Sequence, residues 1–165
     1  MMPLVSVPQR KGGLPMKTFQ KLLFPVDLSQ TSPKLVPFAT TMAEKFHAEL
    51  HLLFVARDFA HFTSIYVPHP SIDNFVKEIL AGAEKKLSEF QEEYLNGVPN
   101  VKLAVESGDP SSKILEYIDQ QGIDMVVIGT HGRKGMEKVI FGSVAERVIS
   151  KSKVPVLVVN PYHAS

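Results

Sequence analysis

Ile128 to Val148 reads IGTHGRKGMEKVIFGSVAERV, and this stretch constrains the fold more than any other in the chain. It continues from Asp124-Met125-Val126-Val127-Ile128, a short apolar run expected to be a buried strand, and it runs into a helix expected over Ser143 to about Lys151. Gly129, Gly132 and Gly135 let the backbone turn sharply at the strand end and approach a ligand with no Cβ in the way. Gly142-Ser143 then opens the helix. Two readings of that opening stand side by side. Ser143 and Glu146 form an S-x-x-E capping box, which accounts for the serine as a helix start and nothing more. A helix N-terminus also presents unpaired N–H groups and the positive end of the helix dipole, which suit phosphate oxygens. The glycine turn, the basic Arg133 and Lys134, and Gly-Ser at a set distance behind a strand together favour the second reading. Arg133 and Lys134 are open to a plainer account as a solvated pair in a loop.

Outward from this segment the same alternation repeats. Val156 to Val159 is a last apolar strand before Asn160-Pro161. On the other side, Val101 to Val105 reads as a strand; Asp109-Pro110 is a cap followed by proline in the first helical position, and Gly122 ends the short helix carried by Ile114, Leu115 and Ile118. A longer helix from about Ser71 has Ile72, Phe75, Val76, Ile79, Leu80, Ala83, Leu87 and Phe90 on one stripe. Glu49 to Val55 is a nearly all-apolar strand of the kind buried on both faces. Before it, Leu35, Phe38, Ala39, Met42, Ala43 and Phe46 recur at helical spacing behind a Ser32-Pro33 start. Leu22 to Val26 is a first strand ending at Asp27. Strands alternating with helices imply an α/β domain with one parallel sheet and helices on both faces.

The bulk numbers narrow the function classes. With 165 residues and 44% hydrophobic content the chain closes one core, not two. Eighteen basic residues against 17 acidic give a net charge of +1, too small a field to draw in nucleic acid or an anionic membrane. Absence of cysteine removes disulfides, thiolate metal sites and a cysteine nucleophile together. No run approaches the roughly 20 apolar residues of a membrane span, and the opening lacks an export signal, so the expected location is the cytoplasm. Residues 1–16, rich in Pro, Gly and basic residues, read as a disordered leader ahead of a nucleotide-binding domain over 17–165. The aromatic 57–70 segment reads equally as a lid or contact surface and as rings folded back on the sheet end. His47 and His51 are four apart, but His51 falls in a strand, so no shared metal site is expected. No P-loop, dinucleotide fingerprint or G-x-S-x-G is present.

Gly129, Gly132, Gly142 and Ser143 match glycine, two residues, glycine, nine residues, glycine and serine, the spacing of the ATP-binding universal stress proteins, which the chain resembles over roughly Lys21 to Asn160. The flanking Val126-Val127-Ile128 and Val144-Ala145-Glu146-Arg147-Val148, and the ending Pro25-Val26-Asp27 of the first strand, are similar to the family's as well.

The resemblance implies an adenine nucleotide alpha hydrolase-like sheet of five parallel strands in order 3-2-1-4-5. That order brings Asp27 and Gly129 to the topological switch point, where such sheets bind ligands. It implies ATP, with Mg or Mn, as the ligand. Adenine is then expected among Pro25, Val26, Val55 and Ile128, with Asp27 and Gly129 on adenosine polar groups. Phosphates are expected on the N–H groups of Gly132, Gly142, Ser143, Val144 and Ala145, near Arg133. His131 is expected either to touch phosphate or to orient the turn, and Asp27 by itself is equally read as a turn-forming residue bonded to its own loop. Nothing in the sequence positions a base or a carboxylate cluster for phosphoryl transfer, so binding with at most slow ATP turnover or self-phosphorylation is expected. A scaffold with a vestigial site is the rival within the fold; a receiver-like module is disfavoured because Val26 and Leu28, not a second acid, flank Asp27. The apolar edge strand Val156–Val159 is an open pairing template, and the resemblance implies a homodimer through it.

Overall fold

The computed structural model describes residues 16–57, 69–130 and 142–163, with the side chains of residues 69–72 not described. The leader over 1–15, most of the aromatic segment (58–68), and His131, Gly132, Arg133, Lys134 and Gly135 lie outside the described residues. In chain order the elements are β1 (Lys21–Val26), α1 (Ser32–Phe46), β2 (Glu49–Ala56), α2 (His69–Tyr94), β3 (Val101–Ser107), α3 (Pro110–Gln121), β4 (Met125–Gly129), α4 (Ser143–Lys151) and β5 (Val156–Val159). The strands form one sheet in the order β3-β2-β1-β4-β5, with every pairing parallel. This is the order implied by the resemblance.

Period-two alternation divides each strand between two cores. Leu22, Phe24, Val26, Leu50, Leu52, Met125, Val127 and Val159 pack with α1 and α2 on one face. Leu23, Leu53, Val126 and Ile128 pack with α3 and α4 on the other. Both faces of β1 and β4 are therefore sealed, which is why these strands read as unbroken apolar runs. At the amino end of β1, the Asp124 carboxylate accepts the Gln20 and Lys21 amides at 2.8 and 3.0 Å, so β4 is clamped to β1 before either strand begins.

Local differences from the sequence reading have plain causes. The first helix is capped by Thr31, and Ser32 is its first residue; the Ser32 hydroxyl has a different partner, described below. Among the described side chains the α2 stripe is buried only from Ala83 onward, through Leu87 and Phe90, whereas Phe75 is 50% exposed. A helix of 26 residues is about 39 Å long, more than strands of four to eight residues can cover. Asp109 and Pro110 open α3 as expected, with the aspartate side chain accepting the Ser112 amide, and Gly122 closes it at φ 63°.

Candidate functional site

The site is built at the carboxyl edge of the sheet, where β1 and β4 lie side by side and the chain leaves them in opposite directions. From β1 it passes into α1 on one face; from β4 it passes into α4 on the other. The resulting crevice is the switch point of a doubly wound sheet. Pro25, Val26 and Ile128 are buried beneath it. Val55, half-buried near the end of β2, packs toward the α3–α4 face.

The β4–α4 connection is closed at its neck. Thr130 is 5% exposed; its amide donates to Val159 O at 2.9 Å and its carbonyl accepts the Gly142 amide at 2.6 Å. A Cβ on residue 142 would lie 3.0 Å from that carbonyl, so glycine is what lets α4 start this close to the strand end. The Gly142 amide is thereby bonded to Thr130. Glu146 N is bonded to Gly142 O at 3.0 Å and opens the helical ladder. The amides of Ser143, Val144 and Ala145 precede it and belong to the unpaired first turn.

The capping box is not formed. Gly142 is the N-cap, no side chain caps the helix, and Ser143 is exposed with no hydrogen-bond partner among the described residues. The register shift has a physical origin: the short Gly142–Thr130 contact sets the helix start one residue earlier than the S-x-x-E pattern requires. The Ser143 hydroxyl and the first-turn amides of Ser143, Val144 and Ala145 thus belong to the positive end of α4. Their chemistry suits an oxyanion such as a phosphate.

Asp27 closes its own turn, as the plainer reading held. Its Oδ1 accepts the Ser29 amide at 3.0 Å and the buried Ser32 hydroxyl at 3.0 Å. Sequence reasoning missed Ser32 here, taking it as a helix cap; the signal was the D-x-S-x-x-S spacing of Asp27, Ser29 and Ser32. It also missed a cross-link between the two helices of the α3–α4 face. Arg147 of α4 donates to Ser111 Oγ at 2.9 Å and to Asp109 Oδ1 at 3.3 Å. The Ser111 hydroxyl and then the Ser112 amide pull the Asp109 carboxyl down to about 2, so this cap stays charged well into acid. Among the described residues no group of three or more His, Asp or Glu side chains is placed to hold a metal ion, and no helix is long and apolar enough to cross a membrane. His51 lies inside the sheet and not beside His47, bonded to Tyr117 and Glu49.

Comparison with known proteins agrees with this architecture. Residues 18–160 match the model of the universal stress protein family. The chain is 33% identical to universal stress protein MJ0531 of Methanocaldococcus jannaschii over 149 residues, covering 86% of this chain and 82% of that one. The solved structure of MJ0577, for which a biochemical function was assigned from structure, superposes with a TM-score of 0.75 at 26% identity, covering 87% of this chain and 97% of that one. Two more distant universal stress proteins share the fold: one solved in complex with cAMP (TM-score 0.55, 23% identity, 88% and 99% coverage), and one from Archaeoglobus fulgidus in complex with dAMP (0.52, 19%, 86% and 98%). By its sheet order, its glycine-serine helix start and this family match over most of its length, the chain belongs to the universal stress protein family.

Proposed function

We propose that the protein binds ATP in the crevice between β1 and β4 and acts as a nucleotide-dependent regulator of a stress response in the cytoplasm. The observation that supports this most is the α4 N-terminus: three amides outside the helical ladder and a Ser143 hydroxyl with no partner among the described residues, brought to the switch point by the Gly142–Thr130 contact. In this reading Ser143, Val144 and Ala145 take the phosphates, with Gly132, Arg133 and His131 as further partners expected from the sequence. Pro25, Val26, Val55 and Ile128 enclose the adenine, and Asp27 and Gly129 hold adenosine polar groups. A divalent cation, Mg or Mn, would accompany the phosphates and neutralise part of their charge. The adenine mononucleotides carried by two proteins of the same fold support the ligand class. Slow hydrolysis or self-phosphorylation would be secondary to binding.

Denaturing freshly purified protein and analysing the released small molecules by mass spectrometry is expected to yield an adenine nucleotide. Stripped protein titrated with Mg-ATP is expected to bind it, and Ser143→Ala to weaken binding by about ten- to a hundredfold, the weight of one hydrogen bond to a charged group. No nucleotide released and no heat at millimolar ATP would leave the scaffold reading in place.

The same proposal includes a homodimer through β5. Among the described residues this strand pairs only with β4, and Val156, Leu157 and Val158 are half-buried at the sheet edge, an apolar pairing template. Val158→Lys is expected to convert a dimer to monomers in light scattering; an unchanged dimer mass would move the interface elsewhere.

A further inference from the structure

We propose that Ser32 is the positioning residue for Asp27: its hydroxyl holds the Asp27 carboxylate in one orientation for the nucleoside, an inference that rests on the nucleotide reading above. Ser32 is one of four buried polar or charged side chains among the described residues, at 2% exposure. A serine at a helix start ordinarily accepts from an amide one turn on. Ser32 instead donates backwards to Asp27 Oδ1 at 3.0 Å, across five residues. The Ser29 amide reaches the same oxygen at 3.0 Å. Two donors converging on Oδ1 fix the rotation of the carboxylate plane, which is otherwise broad for an aspartate.

The turn between them has a second unusual feature. Leu28, adjacent to Asp27, adopts the left-handed conformation at φ 56°, which a leucine rarely occupies. Such a conformation persists only where the surroundings over-determine it. Here they do: the Leu28 side chain packs on the α1–α2 core, the Ser32 amide bonds Ser29 O at 3.1 Å, and the Ser29 and Thr31 hydroxyls pair at 2.9 Å. Helix start, strained residue and carboxylate thus form one rigid unit at the mouth of the crevice. A ligand group meeting Asp27 then finds it already oriented, and binding loses less conformational freedom.

The test is a double-mutant cycle read by calorimetry with Mg-ATP and with AMP. Ser32→Ala is expected to weaken both by the same factor, about five- to tenfold, with thermal melting showing the variant folded. In an Asp27→Ala background, where phosphate contacts keep ATP binding measurable, adding Ser32→Ala should change affinity by less than about twofold, because Ser32 acts through Asp27. Unaltered affinity in Ser32→Ala, or the same further loss in the Asp27→Ala background, would overturn the assignment while leaving nucleotide binding intact. A wild-type protein that binds neither nucleotide would remove the nucleotide reading and this inference together.

Discussion

Phe24→Ala is expected to lower the unfolding free energy by about 3–5 kcal/mol in urea titration, at unchanged slope. Phe24 is fully buried at the fourth residue of β1, the central strand, where it pairs in register with Leu52 of β2. Its ring belongs to the core shared by Leu35, Ala39, Leu50, Leu87 and Val127 from two helices and two neighbouring strands. The sheet backbone cannot collapse into the vacated volume without breaking hydrogen bonds on both sides, so the cavity remains largely open. A domain of this kind has a total stability of about 5–15 kcal/mol, and the variant is expected at its margin at 37 °C. A loss below about 1 kcal/mol would show that β1 does not anchor the core, and with it that the crevice is not built on a rigid edge.

Acidification from pH 7.5 to 5 is expected to destabilise the wild type more than a His51→Leu variant. His51 is the fully buried exception in an apolar strand. The Glu49 carboxylate can only accept, so Nε2 of His51 carries the proton. Nδ1 then accepts from the Tyr117 hydroxyl at 2.9 Å. Both ring nitrogens are satisfied in the neutral form. Protonation would add a buried charge and force Tyr117 to find another acceptor. Burial holds the His51 pKa below 6.5; Glu49 opposes this, and the Lys102 and Lys21 charges assist it.

The sign follows. Above 6.5 both native and unfolded histidine are neutral and the contribution is fully present. As pH falls below 6.5 the unfolded chain takes a proton that the native state refuses, so stability is lost down to the depressed native value. The largest slope from one such group is about 1.4 kcal/mol per pH unit, tenfold in the unfolding constant. Urea midpoints of wild type and His51→Leu across this range measure it. An identical pH dependence in the two proteins, or a native His51 that titrates at 6.5 by NMR, would refute the buried neutral state.

Much of the fold was legible because the information is local. Apolar runs of four to eight residues separated by helical stripes specify parallel α/β, and β1, α1, α4 and β5 begin and end within about a residue of where hydrophobic pattern and punctuation put them. The start of α2 was less legible, since an amphipathic stripe continues past the sheet that would bury it. At the site, the glycine-serine spacing marked the α4 N-terminus, and Asp27 was marked by its place after β1.

The amino-acid sequence by itself determined the element types, the two-faced burial of the central strands and the glycine that α4 needs at its start, because these follow from periodicity, side-chain volume and the absence of a Cβ. Only the tertiary structure decided what those elements do to one another. Strand order placed the ends of β1 and β4 together. A 2.6 Å contact between Gly142 and Thr130 moved the cap to Gly142 and left α4 without a side-chain cap. His51 met Tyr117 across 66 positions. Hydrogen bonds between distant segments depend on distances of a few tenths of an ångström in a packed core, and linear spacing carries no such information.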